Sequence, residues 1–185
     1  MVRAAEAARL DRCGSGHAHG RRPGLRLVHR MGAMFDVLIY VYETYWHPEA
    51  CPEPGQLSRK LSAAGFETDE ISDALDWLQG LERAVSTQHK PGASRGDSIR
   101  LYTPDELECL GIDAIGYLNF LESAGTLEPY LREMVVERAV ATGIKQLPLE
   151  QLKTIVLMVF WRLNEEPDAL ILDELFVESD DRVVH

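Results

Sequence analysis

With 185 residues and a net charge of −11, the chain has the length of one domain, or of one domain with a small subdomain, and can bury most of the surface its unfolded form exposes. The charge is uneven: residues 1–33 hold seven arginines against Glu6 and Asp11, so residues 34–185 carry −16, a balance that repels phosphate backbones and anionic membranes at long range. Cys13, Cys51 and Cys109 are scattered thiols without CxxC spacing, which argues against a disulfide framework or a zinc site and for a reducing, cytoplasmic setting.

In chain order, residues 1–33 are rich in Gly and Arg and lose periodicity after Arg12. They read as a disordered basic extension, an Arg-rich transit-like segment, or translation upstream of the true start, with Met31 and Met34 as internal candidates. No continuous apolar run marks a secretory signal there, and His17, His19 and Cys13 could hold a metal only if this Gly-rich stretch ordered itself. The apolar pattern switches on at Met34. Residues 34–46 (MFDVLIYVYETYW) are apolar on nearly every side, as in a helix buried in a core or against a partner, although their β-branched and aromatic content also suits a strand. His47-Pro48 ends this segment, and Pro52, Pro54 and Gly55 continue a loop. A short helix is expected over residues 56–64, carrying Leu57 and Leu61 and stopped by Gly65. Thr68 is the expected N-cap of the next helix, whose inner face of Ile71, Ala74, Leu75 and Leu78 keeps the i, i+3, i+4, i+7 pattern to about Arg83.

Residues 86–98 are a polar stretch with Pro91, Gly92 and Gly96, and residues 99–102 alternate as a short strand that can pair with residues 84–87 in a hairpin. The sharpest local signal follows: Thr103 as N-cap, Pro104 at the first helical position and Glu106 completing a capping box. Gly111 divides this short helix from a longer one over residues 112–124, ended by Gly125. A helix over residues 127–141 stops near Gly143, and Pro148 opens a last long helix to about Asn164. Its centre, IVLMVFW, is the most apolar run in the chain, bracketed by Lys153 and Arg162 and far short of the ~20 residues that span a bilayer. Residues 169–177 (ALILDELFV) are expected as a short terminal helix docking through Leu172, Leu175 and Phe176, with the tail from residue 179 frayed. One echo spans sixty residues: Leu61-Ser62-Ala63-Ala64-Gly65 and Leu121-Glu122-Ser123-Ala124-Gly125 both read as a helix end with a Gly stop, the mark either of a duplicated helix–turn–helix unit or of two ordinary helix ends.

The expected fold is all-α. A winged-helix-like half over residues 34–102, with its candidate β-hairpin, packs on a C-terminal helical bundle over residues 103–178. The would-be recognition helix carries Asp69, Glu70, Asp73, Asp76 and Glu82 against Arg83 alone, whereas nucleic-acid readers place Arg and Lys there. Groove reading is therefore disfavoured, and contact of Lys90, Arg95 and Arg100 in the basic wing with DNA or RNA stays the alternative. His47 and Cys51 are four apart, but Pro48 and Pro52 prevent a regular helix from presenting both to a metal. The carboxylates of residues 69–76 read as a solvated helix face. No GxSxG, Walker A or GxGxxG pattern occurs. The leading expectation is a non-enzymatic interaction or adaptor protein without cofactor or metal; Tyr42, Tyr45 and Trp46 read by default as core packing, and any of them left exposed as a partner-binding patch, since Tyr and Trp dominate interface hot spots.

Several co-linear segments, MFDVLIYVYETYW, LSRKLSAAGFETDEISDALDWLQGL, IRLYTPDELECLG, GYLNFLESAGTLEPYLREMVVERA and LPLEQLKTIVLMVFW, resemble the bacterial Smg family from Met34 to about Val177. The resemblance implies a cytoplasmic protein of unestablished function, starting at the equivalent of Met34. It carries no active-site residues over to this chain. Genes of the family often neighbour that of a DNA-processing protein, an associational pointer to nucleic-acid metabolism.

Overall fold

The computed structural model describes residues 23–87 and 100–165. Regular elements among them are helical: α1 (Pro23–Thr44), α2 (Pro54–Ala64), α3 (Thr68–Thr87), α4 (Pro104–Ser123), α5 (Pro129–Val140) and α6 (Leu149–Leu163), with one 3-10 turn at Pro48–Ala50. Local chemistry explains most boundaries. Pro54, Pro104 and Pro129 open their helices, where the missing N–H is an orphan anyway and the fixed φ suits the helix. The capping box at Thr103 is formed: Glu106 N–H donates to Thr103 Oγ1 (3.4 Å), and Thr103 N–H donates to Glu106 Oε2 (2.8 Å). Gly65 (φ 102°) and Gly125 (φ 76°) both adopt left-handed stops. In each, a following N–H, from Phe66 or Thr126, returns to the carbonyl of Leu61 or Leu121, so the two echoing segments share one helix-end geometry.

Helix α6 occupies the centre, with every residue from Leu152 to Trp161 buried, and it packs against α1, α3, α4 and α5, while α2 rests on α3 and α4 on α5. Along α1 the inward positions are Met34, Phe35, Val37, Leu38 and Val41, a helical spacing that settles the helix-or-strand ambiguity. Two indoles lock the bundle. Trp161 Nε1–H donates to the Tyr45 carbonyl just beyond α1 (2.7 Å), and Trp77 Nε1–H donates to the Arg138 carbonyl in the last turn of α5 (3.2 Å). Each satisfies a carbonyl that a helix end leaves without an intrahelical partner. Replacing Trp161 by Phe keeps the ring packing but strands the buried Tyr45 carbonyl, so denaturant unfolding should show a loss of about 1–2 kcal/mol.

Several expectations need correction. The hairpin is not formed, because residues 84–87 are the last turn of α3: Ala84 is buried, and the Ser86 and Thr87 hydroxyls donate to the carbonyls of Glu82 and Arg83 one turn back. Residues 100–102 have no regular structure, and the rest of the wing loop lies outside the described residues. Without the hairpin, what remains of the winged-helix expectation is the α2–turn–α3 pair. Helix α1 begins at Pro23 rather than Met34. Once residues 34–44 are helical, each further residue adds a hydrogen bond without a new nucleation cost, and Pro23 is well suited to the first position. The N-cap of α3 is Glu67, not Thr68, since the Glu67 carbonyl accepts from Ile71 N–H and its own N–H donates to the Glu70 carboxylate (both 3.0 Å). Residues 1–22, the expected terminal helix and the tail lie outside the described residues. No helix among the described residues is long and apolar enough to cross a membrane.

Candidate interaction surfaces

Of the three aromatic residues open to either role, the helix register separates one from the others. Tyr45 follows Val41 by one turn and is buried, with the Lys60 ammonium 5.5 Å from its ring centroid. Tyr42 is half-buried and packs against the core; burial raises its pKa. Trp46, past the end of α1, is exposed. Beside it His47 Nδ1 and Asn164 Oδ1 are 2.9 Å apart, which ties this corner to the end of α6. Cys51, the other half of the dismissed metal pair, is half-buried, and burial raises its thiol pKa.

The basic residues of the alternative reading meet a different fate. Lys90 and Arg95 lie outside the described residues, and Arg100 is committed inward. Its guanidinium holds the Glu106 carboxylate with Nη1 and Nη2 (both 2.9 Å) and the Glu133 carboxylate with Nε and Nη2 (both 2.8 Å). Arg132 extends the network to Glu122 (2.6 Å) and Glu133 (2.8 Å), and the Arg100 guanidinium also covers the Tyr102 ring, 4.2 Å from its centroid. Hydrogen bonding to Arg100 pulls the Glu106 pKa from its ordinary 4.5 to about 2 and lowers that of Glu133. Two carboxylates already neutralise this guanidinium, so it offers a phosphate backbone little.

A cleft of about 620 Å³ opens between α3 and α5, lined by Asp73, Asp76, Trp77, Gly80, Arg138 and Thr142 among others. Its floor explains the glycine: the Arg138 guanidinium lies where a Cβ on Gly80 would stand, and its Nη2 donates to Glu137 (2.9 Å). The cleft carries charges of both signs and no nucleophile–base pair. Among the described residues no cluster of His, Cys, Asp and Glu is placed to hold a metal ion. Cys109 is buried in the core, where burial raises its thiol pKa.

The surface missed in the sequence is on α4. Leu101 (86%), Leu107 (49%), Ile112 (86%) and Phe120 (45%) are exposed, although each was expected only as part of a helix or strand pattern. Helix α4 breaks at Gly111 (φ 69°, ψ 179°). Beyond the break Ala114, Tyr117, Leu118 and Leu121 face the core, while Ile112, Gly116, Asn119, Phe120 and Ser123 face solvent. The available signal was excess: apolar residues at both i and i+5 cannot share one stripe of a helix.

The family described as "Protein of unknown function (DUF494)" matches residues 34–185. Proteins named Protein Smg homolog from Methylibium petroleiphilum and Leptothrix cholodnii are each 57% identical to the chain over 152 residues, covering 82% of it and all of the relative. The protein of that name from Bordetella pertussis is 44% identical over 156 residues, with the same coverage. No solved structure matches the chain. A match over most of the chain by both the family and its members leaves one conclusion: the chain belongs to the Smg family.

Proposed function

We infer that the protein is a non-enzymatic interaction or adaptor protein that meets its partner through the outward side of α4. The observation that carries this reading is the exposure of Ile112 and Phe120 on the solvent side of α4 beyond Gly111, with Leu107 and Leu101 exposed before the break. Single exposed apolar residues are ordinary, but several gathered on one element of a charged surface mark binding sites. Exposed Trp46 at the far end of α1 is a separate anchor of the same kind.

Site-specific photocrosslinking in cells tests the reading. A photoreactive amino acid replaces Ile112, Phe120 or Trp46 in turn, with exposed Asp76 on α3 as control. The expected result is a discrete protein adduct from positions 112 and 120, lost when the other of the pair is changed to Ser. Equal adducts from position 76, or none from α4, would contradict it.

A further inference from the structure

The outward face of α4 has a chemistry narrower than "apolar". Ile112, Gly116, Asn119, Phe120 and Ser123 follow one another at helical spacing on the solvent side, a stripe roughly 17 Å long at 1.5 Å per residue. Gly116 lies at its middle, one turn from Ile112 and one from Phe120, and a Cβ there would meet nothing within 4 Å. The result is a gap flanked by two large side chains, the shape into which a residue of a crossing helix inserts.

The charged residues of α4 itself are all acidic. Helix α4 contains Asp105, Glu106, Glu108, Asp113 and Glu122 and no Lys or Arg. Glu106, Glu108 and Glu122 are paired with Arg100, Lys145 and Arg132. Asp105 and Asp113 are exposed and enter no ion pair among the described residues. A second copy of the chain would bring the same carboxylates, and a further −11 of net charge, against this face. A helix with an apolar stripe and Lys or Arg beside it complements both the stripe and these carboxylates.

We propose that the outward face of α4 docks an amphipathic helix of a basic partner protein, with an apolar side chain of that helix seated over Gly116 between Ile112 and Phe120. This rests on the reading of α4 as the interaction surface and adds the class of partner. The test uses the full chain and two synthetic helical peptides of about 18 residues, long enough to cover the stripe. They share one apolar face of Leu and Ile, flanked by Lys in the first and by Glu in the second. Fluorescence anisotropy should show the Lys peptide binding at least ~10-fold more tightly than the Glu peptide. The double substitution Ile112→Ser with Phe120→Ser should weaken the Lys peptide at least ~10-fold while the circular dichroism spectrum stays unchanged. Asp105→Asn with Asp113→Asn should weaken it by roughly 2–5-fold and flatten its salt dependence.

Equal binding of both peptides, still lost in the Ser variant, would overturn the basic-partner assignment and leave α4 standing as an interaction surface. Lys-peptide binding unaffected by the Ser variant is adhesion to an acidic protein and would overturn both. A concentration-dependent dimer in sedimentation that the Ser variant abolishes would assign the face to a second copy. A rise in peptide affinity on deleting residues 166–185 would assign it to the chain's own C-terminal segment. Either of these outcomes would overturn the proposal.

Discussion

Arg100→Ala should destabilise the protein by about 2–3 kcal/mol at neutral pH, a drop in melting temperature of roughly 5–10 °C for a chain of this size. The Arg100 side chain is largely buried and holds two carboxylates at once. Removing it leaves Glu106, which is also fixed in the capping box of α4, without its cation, while Glu133 keeps Arg132. Glu133 is nearly half exposed, which keeps the cost below that of a fully buried pair. Arg100→Lys should recover only part, because an ammonium cannot hold two carboxylates with paired hydrogen bonds.

The same variant has a defined pH signature. The folded-state pKa of Glu106 is depressed to about 2 from 4.5, so its contribution is fully present above about 4.5 and is lost as pH falls toward 2. Glu133 shifts in the same direction. In the variant Glu106 has lost its cation, and protonating it removes an unpaired charge beside Glu133, which keeps Arg132. The stability gap between parent and Arg100→Ala should therefore narrow steadily below pH 4.5, as followed by urea unfolding across pH 2.5–7. A gap that stays constant would show that the ion pairs are not its source.

Gly111→Ala should cost about 2–3 kcal/mol through the backbone alone. A Cβ at this position meets nothing within 4 Å, so no clash contributes; φ 69° with ψ 179° is a conformation essentially reserved for glycine. The break it makes is used. The carbonyls of Glu108 and Cys109, released from helical bonding, accept from Gln146 N–H (2.9 Å) and Leu147 N–H (2.6 Å) in the α5–α6 connection. Asn, which often replaces glycine at left-handed helix stops such as Gly65 and Gly125, should not rescue position 111. A D-alanine introduced there by chemical ligation should, since its preferred φ and ψ are mirrored. Calorimetric melting of the Ala, Asn and D-Ala proteins separates these outcomes.

How much could be read from the residues depended on how far apart the partners lie. The capping box at Thr103, the stops at Gly65 and Gly125, and the break at Gly111 are contacts within a few residues, and the sequence displays them. The apolar run of α6 announced the centre of the core for a similar reason: it leaves no face for water. The two indole caps join residues 61 and 116 positions apart, and Arg100 meets Glu133 across 33, distances over which no periodicity speaks. Arg100 consequently looked like a free cation in a basic stretch. The hairpin expectation failed where Val85 and Thr87 favoured a strand locally but packing of Ala84 and hydroxyl bonds to the previous turn extended α3 instead. On α4 the sequence revealed surplus apolar residues but not which of them the core would take.

On the proposed function, the outward face of α4 is where this protein meets its partner. Amide hydrogen exchange of the full chain, alone and with the protein captured by photocrosslinking, tests it most directly. Protection gained on binding should concentrate in residues 101–120, with the α3–α5 cleft around Gly80 unchanged. Protection confined to residues 73–87 and 137–142, with α4 exchanging as in the free protein, would contradict it.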